Sequence, residues 1–364
     1  MRKRRGTCTE KISPSGLTRD DNHHSNISAK TLSADLQGIS KGENVKIATF
    51  VYKKILDSRN IRRKFWNFIR VILIKVLNDP SCTLPIHGRL LKLPLSHALP
   101  AYLKDHKHYD RLPSRISEFL HQTQGNVRCI DVGANIGDSV GAFYKNDKDT
   151  FLAIEPNPGF YEYLVANWGW NKNVNPISVI CSSKSTSETF TIQEKSGTAS
   201  ILQTKNGTKM ARLPLDSIVD DFPEFKNANI IKIDTDGHDF EVIAGAQMLI
   251  SGNQPAVLFE CYAFANDNYV EDCLKALIFF LNSGYNFFLL YDNFGNLMGK
   301  YPLSDLSAIR SLLFYQLTSP FHYFDILVMK DADISGFFRT EVDYFVEEMP
   351  DKSLQLTAMA AAEI

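Results

Sequence analysis

Short, wholly apolar runs recur along the middle of this chain, and between them apolar residues return every third or fourth position. VRCIDV at 127–132 reads as a buried strand that ends at Gly133. TFLAI at 150–154, residues 174–181, IIKI at 230–233, AVLFE at 256–260, YNFFLLY at 285–291 and FDILVM at 324–329 read the same way. Helical spacing covers 136–144, 159–168, a stretch from the 234–239 loop to about 250, 269–281 and 305–317. Two polar-faced runs, 188–193 and 199–203, predict a hairpin inserted after the third strand. Apolar strands alternating with helices imply a mostly parallel sheet with both faces covered. The pattern therefore predicts an α/β fold: a Rossmann-like seven-stranded sheet with helices on both faces and an N-terminal helical extension.

Four regions follow. Residues 1–44 are too polar to build a core and predict a disordered tail. Residues 45–121 form a lead-in, helical to about 77, proline-punctuated over 84–100 and helical again over 111–121. Residues 122–330 hold the sheet, and 331–364 read as an acidic tail ending in an alanine-rich helical stub.

A chain of 364 residues suits one large α/β domain with extensions. Its formal net charge of -1 gives no global field for nucleic acid, so none is expected as a partner. No run reaches the roughly 20 apolar residues of a bilayer span. The basic start, MRKRR, lacks the apolar stretch of a secretory signal after it. The six cysteines include no CxxC pair and read as reduced core thiols. These features predict a cytoplasmic protein. Residues 64–77 (KFWNFIRVILIKVL), preceded by Arg59, Arg62 and Arg63, add a second expectation. They suit peripheral contact of 59–77 with the inner face of a membrane, or a helix packed on the main domain.

The sharpest chemical signal is the sequence from Asp131 to Asp138, which follows a strand and opens a helix. Gly133 permits a tight turn and Gly137 a close approach at the helix start. Ala134 and Asn135 stand where a dinucleotide site needs a second early glycine for its pyrophosphate, which argues against an NAD-dependent oxidoreductase. A nucleoside carrying an amino-acid end needs no such glycine, and Asp131 suits its ammonium. Glu155 ends the second strand, where a carboxylate accepts hydrogen bonds from two ribose hydroxyls. Asn157, within the Pro156–Pro158 break, joins the cofactor set.

A second cluster, from Lys232 to Asp239, packs Asp234, Asp236, His238 and Asp239 where the fourth strand meets its loop. Such a crowd of like charges is too costly to gather idly. Asp234 is assigned to the cofactor and Asp236 to the acceptor or to proton removal; His238 is a candidate general base. Glu260 ends the next strand and is a third candidate for the acid–base work. Asp234, Asp236 and Glu260 also offer hard oxygen ligands for a divalent ion, although metal-free binding is the reading favoured.

Five stretches resemble the FkbM family of methyltransferases: IDVGANIGDSV (130–140), IEPNPGFYEYLVAN (154–167), RLPLDSIV (212–219), IIKIDTDGHDFEVIAGA (230–246) and PAVLFE (255–260). LKLPLSHALP (91–100) looks like the lead-in such proteins carry. The resemblance covers about 91–330. It implies S-adenosylmethionine as cofactor and a hydroxyl as methyl acceptor, often on a sugar of a surface polysaccharide or on a secondary metabolite; a sugar of a surface polysaccharide or glycolipid is the acceptor expected here. It also implies that Asp131, Gly133, Asn135 and Gly137 line the cofactor, that Glu155 holds the ribose, and that Ser182 lies near the adenine. Asp236 and Asp239 stand where many members have glutamate, which keeps the charge and shortens the reach. The competing expectation is a non-catalytic Rossmann-like module that docks partners in a glycan-assembly complex.

Overall fold

The computed structural model describes residues 40–195, 198–203, 208–263, 266–319 and 323–362. Most of the polar segment at 1–44 thus lies outside the described residues. The strands are β1 (Ser81–Ile86), β2 (Arg89–Pro94), β3 (Arg128–Val132), β4 (Thr150–Ile154), β5 (Val174–Ile177), β6 (Ile180–Cys181) and β7 (Thr186–Lys195). They continue with β8 (Thr198–Gln203), β9 (Thr208–Leu213), β10 (Ile230–Ile233), β11 (Ala256–Cys261), β12 (Phe287–Asp292), β13 (Leu297–Pro302) and β14 (Phe324–Val328).

The main sheet is an α/β mixed sheet of eight strands in the order β13-β12-β14-β11-β10-β3-β4-β5. Five strands, β5 through β11, run parallel, while β14, β12 and β13 pair antiparallel at the other edge. From β3 the chain moves outward through β4 to β5, then returns to place β10 on the other side of β3. The order reverses between β3 and β10, and open sheets bind ligands at such a reversal.

Two details differ from the sequence expectation. The eighth strand, β13, is LMGKYP, whose only alternation is weak because nearly all its residues are half-buried at the sheet edge. The run at 174–181 is two strands: β5 stays in the main sheet, while β6 pairs with β9. The expected insertion is real and larger than a hairpin, a four-stranded sheet in the order β6-β9-β7-β8.

Strand alternation divides the core. Ile130, Val132, Ile231, Ile233, Val257 and Phe259 face the layer built by helices Leu215–Asp221, Asp239–Ala244, Gln247–Asn253 and Tyr269–Asn282. Cys129, Ile230, Leu258, Leu289 and Leu327 face the opposite layer. That second layer contains helix Lys41–Asp57, the β1–β2 hairpin, helix Leu112–Gln124 and helix Asp331–Glu347. Ile334, Phe337 and Phe338 of the last helix are buried, so the acidic sequence after 330 hides an apolar face. Cys82, Cys129, Cys181, Cys261 and Cys273 are buried and make no disulfide. Among the described residues no helix is long and apolar enough to cross a membrane.

Candidate active site

The period of two that places Cys129 and Leu258 in the second layer places Asp131, Lys232, Glu260 and Asp325 there too. Strand register sets them side by side. Lys232 lies opposite Asp131, and Glu260 lies opposite Asp325. Four charged side chains thus line one face at the ends of β3, β10, β11 and β14.

Asp131 has no exposed surface. Its Oδ2 accepts a 2.5 Å bond from the Ser139 hydroxyl, and Lys232 Nζ lies 3.5 Å from its Oδ1. Lys232 Nζ also donates to Asp234 Oδ2 at 3.0 Å. Burial opposes the lysine charge, yet Asp234 and Asp131 outweigh it and hold Lys232 well above its usual range. Asp131, expected at the cofactor, is fully buried and braces Lys232, and the half-exposed carboxylate beside it is Asp234.

The loop after β3 is fixed from three sides. Gly133 has φ +81°, and a Cβ there would stand 1.8 Å from the Asp234 carbonyl oxygen. The small residue is therefore needed where the β3 and β10 loops cross. Gly133→Ala is expected to cost about 3 kcal/mol or more in urea unfolding, from overlap plus left-handed strain. A wild-type midpoint would show that the loops do not touch. Asn135 has φ +49°; its N–H donates to Glu155 Oε2 at 2.8 Å. Gly137 lies against Trp168, whose indole N–H donates to the Gly137 carbonyl at 2.7 Å.

His97 holds the loop from the lead-in. Its Nδ1 accepts from the Leu99 N–H, so Nε2–H is left to donate to Asn135 Oδ1 at 3.3 Å. Arg70 and Tyr52 in turn donate to the His97 carbonyl. Burial drives the His97 pKa down to about 4, so the ring is neutral, as this donor–acceptor pattern requires.

Glu155 is 5% exposed. Its two oxygens accept from the N–H groups of Asn157 and Asn135, at 2.7 and 2.8 Å. Burial pushes its pKa up to about 7 against the pull of those two bonds. Asn157 caps helix Pro158–Trp168, accepting from the Phe160 N–H at 3.0 Å. That side chain has a helix-capping task besides any contact with a ligand. Ser182 Oγ donates to Glu241 Oε2 at 3.0 Å, and Arg212 pairs with the same oxygen at 2.6 Å.

Burial lowers the His238 pKa, and Glu241 and Arg212 add opposing charge effects. Glu260 is affected by the charges of Asp234, Asp239, Asp325 and Asp236. Asp236 has φ +51°, which turns the loop. Asp239 is an internal brace, accepting from Thr235 Oγ1 at 2.8 Å and from the Glu260 N–H at 3.1 Å.

The remaining cluster has a distinct chemical character. Glu260 Oε2 is buried without a hydrogen-bond partner, and burial among four carboxyls holds its pKa well above the ordinary range. Asp325 is raised likewise, by burial and then by Asp234. Tyr109 and Tyr323 both feel Glu260, Asp325 and Asp234. Asp110 accepts from His87 Nε2 at 2.8 Å, and Asp138, pushed up to about 7 by burial, stands near both. None of Asp325, Tyr109, Tyr323, Asp110 or His87 was singled out from sequence. The one local signal was a charge interrupting an apolar strand, as Asp325 does in FDILVM. Among the described residues, no three His, Cys, Asp or Glu are placed to hold a metal ion.

These carboxyls set a pH dependence. Glu155 and Asp138 rise to about 7 and Asp239 to about 6, all by burial, so the folded chain keeps protons that the unfolded chain has lost. That contribution is complete at acid pH and is lost as pH rises through 6 to 7. His97 acts oppositely, but only as pH falls below 6.5. Tm is expected to be higher at about pH 6 than at about pH 8. A Tm that climbs across this interval would contradict the burial of these groups.

Residues 131–287 match the family model of the methyltransferase FkbM domain. That stretch of the chain is similar to the FkbM methyltransferase domain. No curated protein matches it. Among solved structures it is similar to the methyltransferase FkbM of Methylobacillus flagellatus KT, at 14% identity over 60% of this chain and 49% of that one, TM-score 0.31. It is also similar to M. jannaschii TYW2 in complex with AdoMet, at 13% over 68% and 84%, TM-score 0.34. A putative caffeoyl-CoA O-methyltransferase from Staphylococcus aureus gives 13% over 64% and 89%, TM-score 0.33. The chain spans about half the length of the Methylobacillus protein. The matched residues include Gly133, Asn135, Glu155, Ser182, Asp234, Asp236 and Glu260. His87, His97, Tyr109 and Asp110 precede them, and Tyr323 and Asp325 follow them. The glycine loop and Glu155 therefore lie inside the matched stretch, while much of the carboxyl and tyrosine cluster comes from outside it.

Proposed function

We propose that this chain moves a methyl group from S-adenosylmethionine to a hydroxyl, and that the hydroxyl belongs to a sugar of a surface polysaccharide or glycolipid. The residues present fit the cofactor. Asp234 is an open carboxylate suited to its ammonium, and each oxygen of Glu155 keeps a lone pair for a ribose hydroxyl. Ser182 and His238 flank the remaining corner, where an adenine would lie. When bound, S-adenosylmethionine supplies a methyl group already activated by its sulfonium charge.

The rest is the work of the protein. Proximity and orientation carry much of such a displacement. A hydroxyl must also lose its proton, and a carboxyl with a raised pKa is a stronger base than an ordinary one. Glu260, with Oε2 buried and unpartnered, is the observation that carries the proposal. It is the group assigned to take the proton. Asp236 and Asp325 remain to accept hydrogen bonds from neighbouring hydroxyls. Tyr109, which feels the carboxyls, belongs to a chain of ring contacts through Tyr102 and His106 to Phe294, with His106 and Phe294 stacked at 4.5 Å. Carboxyl acceptors next to flat apolar faces suit a sugar ring, which is polar at its edge and apolar on its face.

The test is methyl-labelled cofactor incubated with the protein and a polysaccharide and glycolipid fraction. The proposal expects label in a sugar methyl ether, which resists alkali. Label released by alkali would show an ester. No transfer from a protein that binds the cofactor would favour the non-catalytic module.

A further inference from the structure

Helix Asn60–Val76 has two unlike sides. Leu73 is buried, and Trp66, Ile69 and Ile74 pack on the core. From the same side Arg70 donates to the carbonyls of Leu95, Ser96 and His97. At about 100° per residue, Ile61, Phe65, Phe68 and Ile72 fall on the opposite side as one stripe. Ile61 is 82% exposed, Phe65 55% and Phe68 63%. Val71 and, on the preceding helix, Phe50 extend the exposed apolar surface.

The charges that this helix itself carries have one sign, with Asp105 from the lead-in pairing only Arg63. Arg59, Arg62, Lys64 and Lys75 are exposed beside it, and no acidic residue occurs between Asp57 and Asp79. The whole chain is nearly neutral at -1, so this concentration is local. Large aromatic side chains left in water, bracketed by lysine and arginine, match the interface of a membrane that carries anionic lipid. A second copy of the chain fits less well, since a two-fold contact would set these cations against their own copies. Residues 1–39 open with Arg2, Lys3, Arg4 and Arg5, again of the same sign.

We infer that this helix docks the protein on an anionic lipid surface, with Ile61, Phe65, Phe68 and Ile72 entering the interface and Arg59, Arg62, Lys64 and Lys75 meeting the headgroups. The docked side is the back of the side that grips His97, and His97 grips the cofactor loop at Asn135. Docking would thus set the orientation of the strand ends relative to the bilayer. The inference stands apart from the identity of the methyl acceptor.

The test is co-sedimentation of the full chain with phosphatidylcholine vesicles, with and without phosphatidylglycerol. The protein should pellet with the anionic vesicles and be released by salt, since the attraction is screened. Phe65→Asp with Phe68→Asp should weaken partitioning by about a hundred-fold or more, in a protein that still unfolds cooperatively, since both rings are more than half exposed. Lys64→Glu with Arg62→Glu should weaken it by about ten-fold or more. Wild-type protein left in the supernatant with both vesicle types would overturn the inference. So would equal pelleting of the Phe65→Asp, Phe68→Asp variant. A dimer that the same variant splits, without vesicle binding, would assign the face to a second copy and also overturn it.

Discussion

Glu260→Gln is expected to lower the rate of methyl transfer by about a hundred- to ten-thousand-fold, the range of a lost general base. Affinity for S-adenosylmethionine should change little, because Glu260 stands at the end of β11, two strands from β3, whose loop meets Glu155. The exchange keeps shape and hydrogen-bonding capacity while removing the ability to hold a proton. It also relieves crowding among Asp234, Asp239, Asp325 and Asp236, so the variant should be at least as stable as the parent. That combination, a slower and no less stable protein, separates a chemical role from a structural one. The pH profile gives a second readout: the wild-type rate should rise with pH as Glu260 ionises, and the variant should lose that limb. His238→Ala is the contrast. The charges that shift its pKa are Glu241 and Arg212 rather than the carboxyls around Glu260, so cofactor affinity should change and proton removal should not. A full rate in Glu260→Gln would assign the proton to another group.

Glu155→Ala is expected to weaken S-adenosylmethionine binding by about a hundred-fold or more, from two lost charge-assisted bonds to the ribose. The change reaches further than those two bonds. Glu155 is what the N–H groups of Asn135 and Asn157 donate to, so its loss leaves two buried donors unpaired and frees the glycine bend. A stability loss of about 1–3 kcal/mol should accompany the loss of affinity. Asn135 is also held by His97, and the loop should therefore loosen rather than unfold. Unchanged affinity in a folded Glu155→Ala protein, measured by calorimetry, would remove Glu155 from the cofactor site.

Much of this was legible in the chain. Strands buried on both faces announce themselves as solid apolar runs, and β3, β4, β10, β11 and β14 each fell where such a run stood. Glu155 and Glu260 were legible for a related reason: a carboxylate that ends an apolar run must sit at the carboxyl edge of the sheet. The edge strand β13 was not, since neither of its faces is cleanly covered and Gly299 and Lys300 interrupt it. Nor was the break between β5 and β6, which depends on β9, a partner more than thirty residues away.

The acid cluster shows where local reading stops. Asp325 becomes important only because β14 runs antiparallel to β11 and brings it opposite Glu260, a register that no local pattern states. Tyr109 and Asp110 come from a loop without periodicity. Asp131 was legible at the end of its strand, but its full burial beside Lys232 was not.

The central claim is that the bend from Gly133 to Gly137, closed by Glu155, holds an adenosyl sulfonium. Calorimetric titration of the wild-type chain with S-adenosylmethionine tests it most directly. The expected result is one site per chain with a Kd of about 1–100 μM. A folded protein that gives no binding heat with this compound or its demethylated product, and no rise in Tm in their presence, would contradict the account.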